Sequence, residues 1–178
     1  RLLLLLLPFY LHSQDVSIGN WKDYLSYGSA SYIAEANELI YCVANGGLFF
    51  IQKQDNTINR ISKITGLSDV DVNKIGHSYE LGVTIIVYEN CNIDLLINNS
   101  IINISDIKRK EIVGNKKINN ITIKNNFAYL SCSFGLVVVN LEKREISDTY
   151  NIGDGVNVYE INGTPASAIN LFAEKTLP

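Results

Sequence analysis

The residues best suited to chemistry are five cations in a ten-residue window: Lys108, Arg109, Lys110, Lys116 and Lys117. Only Glu111 opposes them in that window, and the whole chain carries a net charge of −3, so the window is a local attractor for anions on an acidic protein. Phosphate or uronate groups on a polysaccharide, or an acidic partner, suit such a loop. The competing reading is a solvated connection that binds nothing, since charge runs are ordinary on exposed faces. The negative total supplies no bulk attraction for nucleic acid or anionic lipid.

Other candidates are sparser. Trp21, Tyr24 and Tyr27 offer either a carbohydrate-stacking platform or an aromatic staple that docks the N-terminal segment. His77 stands beside Ser78, but no third residue marks a nucleophile–base–orienter set, so it reads as structural. The carboxylate pairs Asp69/Asp71 and Asp154/Glu160 fall in or near loops, without the environment that acid/base catalysis requires. Asn98, Asn103, Asn120 and Asn162 match the glycosylation pattern, as an Asn-rich chain does by frequency. Two histidines and three cysteines with no CxxC exclude a zinc site, and no cofactor is expected. Cys42 and Cys132 sit in apolar strand-like runs and Cys91 in a turn; they read as thiols without a role, and an odd number leaves one over in any pairing. The chain is therefore read as non-catalytic.

The elements that must position the basic window come from a repeat. Ile40–Ile51, Ile85–Leu96 and Ala128–Val139 align, with Gly47, Asn92 and Gly135 in register at spacings of 45 and 43 residues. Each copy is an apolar β-run, a Gly/Asn turn and a second β-run, which is a hairpin. A further strand candidate precedes each hairpin (Tyr32–Ala36, Val72–His77, Ile118–Ile123), and another follows it (Thr57–Ser62, Ile101–Ser105, Arg144–Thr149). Twenty-four Ile and twelve Val favour strands, and twenty-one Asn supply reversals at Asn37-Glu38, Gln54-Asp55-Asn56, Asn98-Asn99 and Asn125-Asn126. No proline falls between Pro8 and Pro165 to interrupt a ladder.

Four antiparallel strands per repeat at this period predict an all-β fold: a β-propeller fragment of about three four-stranded blades, an incomplete ring. Val158–Asn162 would open a fourth blade. Blades bury their faces against neighbours, so two apolar faces are expected to lie bare. In such a meander the loop between blades and the turn between middle strands emerge on one side. The basic window should then share a rim with Asn45-Gly46-Gly47, Ser68-Asp69 and Asn90-Cys91-Asn92.

Residues 1–13 read as a truncated signal peptide. Arg1 precedes an apolar run of Leu2–Leu7 and Pro8–Leu11, shorter than the ~20 residues of a membrane span, with cleavage expected at Ser13 and Gln14. Residues 14–162 are assigned to the partial propeller and 163–178 to an atypical tail, a truncation or a frame change. With no methionine, the chain reads as a fragment. No membrane span is expected after the signal.

Thr65-Gly66-Leu67-Ser68-Asp69, followed by Val70–Ile75, resembles the two-component-regulator propeller repeat: Gly66 for a positive-φ turn, Leu67 between blades, Ser68 or Asp69 bonding the turning backbone. Over Ile18–Ile152 the chain is similar to the first propeller of PorZ-type proteins. The motifs that carry this are Ile18–Tyr27, Val43–Phe49, Tyr88–Asn90 with Asn92–Leu95, Asp106–Lys110, Gly114–Asn119 and Leu141–Ile146. The resemblance implies a surface component of the bacterial type IX secretion system, exported and associated with the outer membrane. Its implied partners are the sortase PorU, the outer-membrane proteins PorV and PorQ, and anionic lipopolysaccharide. The alternatives are a periplasmic propeller sensor of a two-component system and, with the least support, a polysaccharide hydrolase or lyase.

Overall fold

The computed structural model describes residues 28–112, 114–151 and 158–159. Three expectations lie outside the described residues: the signal segment with Ser13 and Gln14, the aromatics Trp21, Tyr24 and Tyr27, and the tail 163–178. So do Asp154 and Glu160.

Within the described residues the chain forms three meanders of four antiparallel strands. The first blade is β1 (Ala30–Ala36), β2 (Leu39–Ala44), β3 (Gly47–Gln52) and β4 (Ile58–Ile61). The second is β5 (Val72–Ser78), β6 (Val83–Tyr88), β7 (Ile93–Ile97) and β8 (Ser100–Ile104). A one-turn helix, α1 (Asp106–Arg109), leads to the third: β9 (Ile118–Lys124), β10 (Phe127–Cys132), β11 (Gly135–Asn140) and β12 (Glu145–Asn151). No ring is closed among these residues, and none of their helices is long and apolar enough to cross a membrane.

Asparagine makes the reversals. Asn45 and Gly46 both adopt positive φ (49° and 74°) between β2 and β3, as do Asn98 and Asn99 (46° and 65°) between β7 and β8. These are the two-residue turns whose twist matches that of paired strands. Asn37, Asn56 and Asn125 take the same left-handed conformation at other reversals.

Alternation then builds two seams. Tyr41, Val43 and Leu48 of the first blade pack on Val72, Ile75, Ile86 and Tyr88 of the second. Val83, Ile85 and Val87, on the opposite face of the second blade, pack with Ile118, Ala128 and Leu130 of the third. Both faces of β6 are therefore covered, and all six of its residues are buried. Its run Val83–Tyr88, apolar but for Thr84, follows from that double burial. At Gly76 a Cβ would lie 3.0 Å from Ile123 and 3.3 Å from Ile121, so the glycine lets the third blade close on β5.

Leu67 occupies the first seam, 5 % exposed. Fully burying a leucine contributes about 1.5–3 kcal/mol. Gly66 before it has φ +123°, the conformation the repeat motif requires.

On the outer face of the first blade Cys42, Ala44 and Phe49 are buried and cluster with partly buried Ile40 and Ile51. Ile33, the cross-strand neighbour of Cys42 on that face, is 64 % exposed.

Candidate functional site on the basic rim

The connection after β8 turns inward at Ile107, which is buried in the seam between the second and third blades. That anchor sets its neighbours Lys108, Arg109 and Lys110 at the surface, where all three are exposed. Lys116 folds back over them. Its Nζ donates to the carbonyls of Ile107 (3.1 Å), Lys108 (2.8 Å) and Lys110 (3.0 Å), serving the unpaired acceptors at the end of α1.

Lys108 reaches the connection between the first two blades, where its Nζ lies 2.6 Å from Asp69 Oδ2. Asp69, 8 % exposed, also accepts from Asn90 Nδ2 at 2.7 Å, Asn92 Nδ2 at 3.3 Å and its neighbour Val70 N–H at 3.0 Å. Burial works to raise the Asp69 carboxyl, but Lys108, Asn90 and the Val70 N–H together hold it well below the usual carboxylate range. The rim expected from blade geometry is therefore bonded together: residues 69, 90, 92 and 108 meet on one carboxylate. Asp71 sits against Gly46, and its carbonyl accepts the Glu89 N–H.

The remaining cations are looser. Arg109 Nη2 is 3.8 Å from Asp106 and Lys117 Nζ 3.9 Å from Glu89, both pairs largely exposed. Lys116 bonds only main-chain carbonyls, and among the described residues no hydrogen bond or ion pair holds the Lys110 ammonium. The sequence identified Glu111 as the only opposing charge, but Asp69, Asp106 and Glu89 also face the cluster. Asp106 is a near neighbour within α1, whereas the fold brings Asp69 and Glu89 in from distant parts of the chain. Lys74 adds a further cation near Lys117: burial first, and then the Lys117 charge, lower its ammonium, which rests 4.3 Å from the Tyr32 ring centre.

Beneath this rim is a buried polar network that sequence reasoning missed. Asp94, 0 % exposed on β7, accepts from Tyr88 Oη, from the Ser68 N–H at 2.8 Å and from Asn103 Nδ2 at 2.8 Å. It fixes the Leu67-Ser68-Asp69 connection onto the second blade. Burial, followed by the Asp94 hydrogen bond and charge, pushes the Tyr88 phenol far up. The one signal for this network was an aspartate inside the apolar run Ile93–Ile97, since a buried carboxylate requires several donors.

A cleft of about 190 Å³ opens beside the rim, bordered by Asn45, Gly46, Arg60, Lys63, Asp69 and Asp71. His77 lies away from it. Its Nδ1 is 2.9 Å from Thr84 Oγ1, its ring meets Tyr79 edge-on, and its buried Nε2 has no partner. Burial lowers the imidazole. No group of three or more metal-binding side chains occurs among the described residues.

Three stacked four-stranded meanders, with hairpin turns and blade connections gathered on one rim, define a β-propeller. The chain belongs to the PorZ N-terminal propeller family: the family described as "TSS9, PorZ, N-terminal beta-propeller domain" matches residues 40–176. Among solved structures it is similar to PorZ of Porphyromonas gingivalis, described as an essential bacterial surface component of the type IX secretion system. The two share 31 % identity with a TM-score of 0.66, over 68 % of this chain and 17 % of that one. The chain thus spans about a sixth of that relative. The fold also resembles the extracellular domain of the two-component system BT4673 from B. thetaiotaomicron (14 % identity, TM-score 0.58, 71 % of this chain and 17 % of that one). AztD from Citrobacter koseri is similar in fold as well (15 % identity, TM-score 0.52, 75 % and 36 %). No curated protein matches the chain.

Proposed function

We propose that the chain is propeller material from a non-catalytic, exported scaffold of the type IX secretion attachment complex. It acts at the bacterial cell surface in association with the outer membrane, and helps present anionic lipopolysaccharide to the cargo-attaching sortase. The observation that carries this reading is the 31 % identity to a solved PorZ together with the family match over residues 40–176. Its partners are counterparts of PorU, PorV and PorQ. The basic rim of Lys108, Arg109, Lys110, Lys116 and Lys117 contacts phosphate or uronate groups of the polysaccharide, which its local charge favours. Within that rim Arg109, Lys110 and Lys117 present charge to solvent, while Lys108 and Lys116 hold the loop in place through Asp69 and the α1 carbonyls.

The test is cross-linking on intact cells that make the full-length protein, followed by affinity capture. Recovery of the sortase and its outer-membrane partners is expected. Recovery with a histidine kinase encoded on the same polypeptide would replace this reading with the sensor alternative.

A further inference from the structure

Two of the three thiols converge on one backbone segment of the third blade. Cys91, in the turn between β6 and β7, places its Sγ 3.1 Å from the Lys116 carbonyl, two residues before Ile118. Ile118 is in turn the β-pairing partner of Cys132 at the end of β10, and the neighbouring Ser133 N–H donates to the Lys117 carbonyl at 2.8 Å. Both cysteines are 0 % exposed, and both belong to the apolar seam between the second and third blades. Burial raises both thiols, so both are protonated in the folded seam. Cys42 lies apart, on the outer face of the first blade.

We infer that Cys91 and Cys132 are a disulfide-forming pair that staples the second blade to the third, with Cys42 left as the single free thiol. The biological setting rests on the export reading above, since exported chains fold where disulfides persist. The chemistry is two thiol–disulfide exchanges with a small-molecule or protein disulfide as oxidant. One cysteine thiolate attacks the oxidant, forming a mixed disulfide and expelling one thiolate. The second cysteine thiolate attacks the protein sulfur of that mixed disulfide, closing the Cys91–Cys132 bond and expelling the other. The protein loses two protons and two electrons, and the oxidant disulfide becomes two thiols. Because both sulfurs are buried in the folded seam, the exchange takes place while β9 and β10 are still closing on the second blade.

The test is refolding of the full chain in oxidised and reduced glutathione, quenching with acid, and counting alkylatable thiols by mass spectrometry under denaturing conditions. One reactive thiol per chain is expected, with a cross-linked peptide joining Cys91 to Cys132, and the bond should persist in Cys42→Ser. Three reactive thiols, or a pair that includes Cys42, overturn the inference. Because a bond can stress a folded seam, the oxidised and reduced forms are also melted: a higher midpoint for the oxidised form is expected, and a lower one counts against a native staple. Export is judged separately, by protease accessibility of the full-length protein on intact cells, so its failure is distinguishable from failure of the pair to form in glutathione.

Discussion

Lys108 Nζ and Asp69 Oδ2 lie 2.6 Å apart although thirty-nine residues separate them in sequence. The pair joins the connection that enters the second blade to the one that leaves it. What reads as a free basic loop is therefore tied at one end to a nearly buried carboxylate.

The two halves of this pair should be unequal. Asp69→Ala removes the common acceptor of Asn90, Asn92, Lys108 and the Val70 N–H, and hydrogen bonds to a nearly buried charged group contribute about 1.5–3 kcal/mol. Lys108→Ala removes a side chain that is 41 % exposed and leaves Asp69 its other donors, so about 1 kcal/mol or less is expected. Urea denaturation of the full chain measures both, and equal costs would contradict the network described.

Acid should weaken the fold through Asp69. An unfolded aspartate titrates near about 3.9. Because the folded carboxyl sits lower, its stabilising contribution is fully present above that value and is lost as pH falls toward the folded one. Denaturant midpoints followed from about pH 5 down to pH 2 should therefore fall less steeply for Asp69→Asn than for the unmodified chain. Parallel curves would show that this carboxylate is not a source of acid sensitivity.

The five cations should separate into two groups. Replacing Arg109, Lys110 and Lys117 by Ser in the full-length protein should weaken binding to anionic lipopolysaccharide by about 0.2–1 kcal/mol per charge, with little change in melting temperature. The loss should shrink with added salt, because exposed charges are screened over about 8 Å at physiological ionic strength. Replacing Lys108 and Lys116 should lower the melting temperature as well, since those ammonium groups bond Asp69 and three carbonyls. Unchanged affinity at low salt after all five replacements would return the loop to a solvated connection.

Two glycines should respond very differently to alanine. At Gly135, φ is +142° and an added Cβ would lie 2.0 Å from the Tyr150 carbonyl oxygen, so β11 and β12 could not keep their register. Loss of cooperative unfolding is expected there. At Gly82, φ is +62° with nothing within 4 Å of an added Cβ, so the cost should be limited to the left-handed conformation itself, about 1–2 kcal/mol. Thermal melts followed by circular dichroism distinguish the two, and a Gly135→Ala chain that melts like the parent would refute the close approach.

The strands were legible in the sequence because they depend on local physics. Asn45-Gly46 and Asn98-Asn99 tolerate positive φ where most residues do not, and alternating Ile and Val need a face to bury. A period near forty-five residues then allows few folds besides a propeller, and each strand predicted for the three blades lies within two residues of the observed one. Gly66 and Leu67 could likewise be assigned a turn and an inter-blade contact in advance. The electrical character of the rim could not. Five cations can be counted along a chain, but the distant partners Asp69 and Glu89 are brought to them by the folded blades, and the carboxylate Asp94 meets Tyr88, Ser68 and Asn103 only once the second blade is paired. Sequence determined which segments become strands, since turn and burial preferences act over a few residues. Tertiary structure decided which charges are free, since a Coulomb interaction depends on distance and burial in space rather than on separation along the chain.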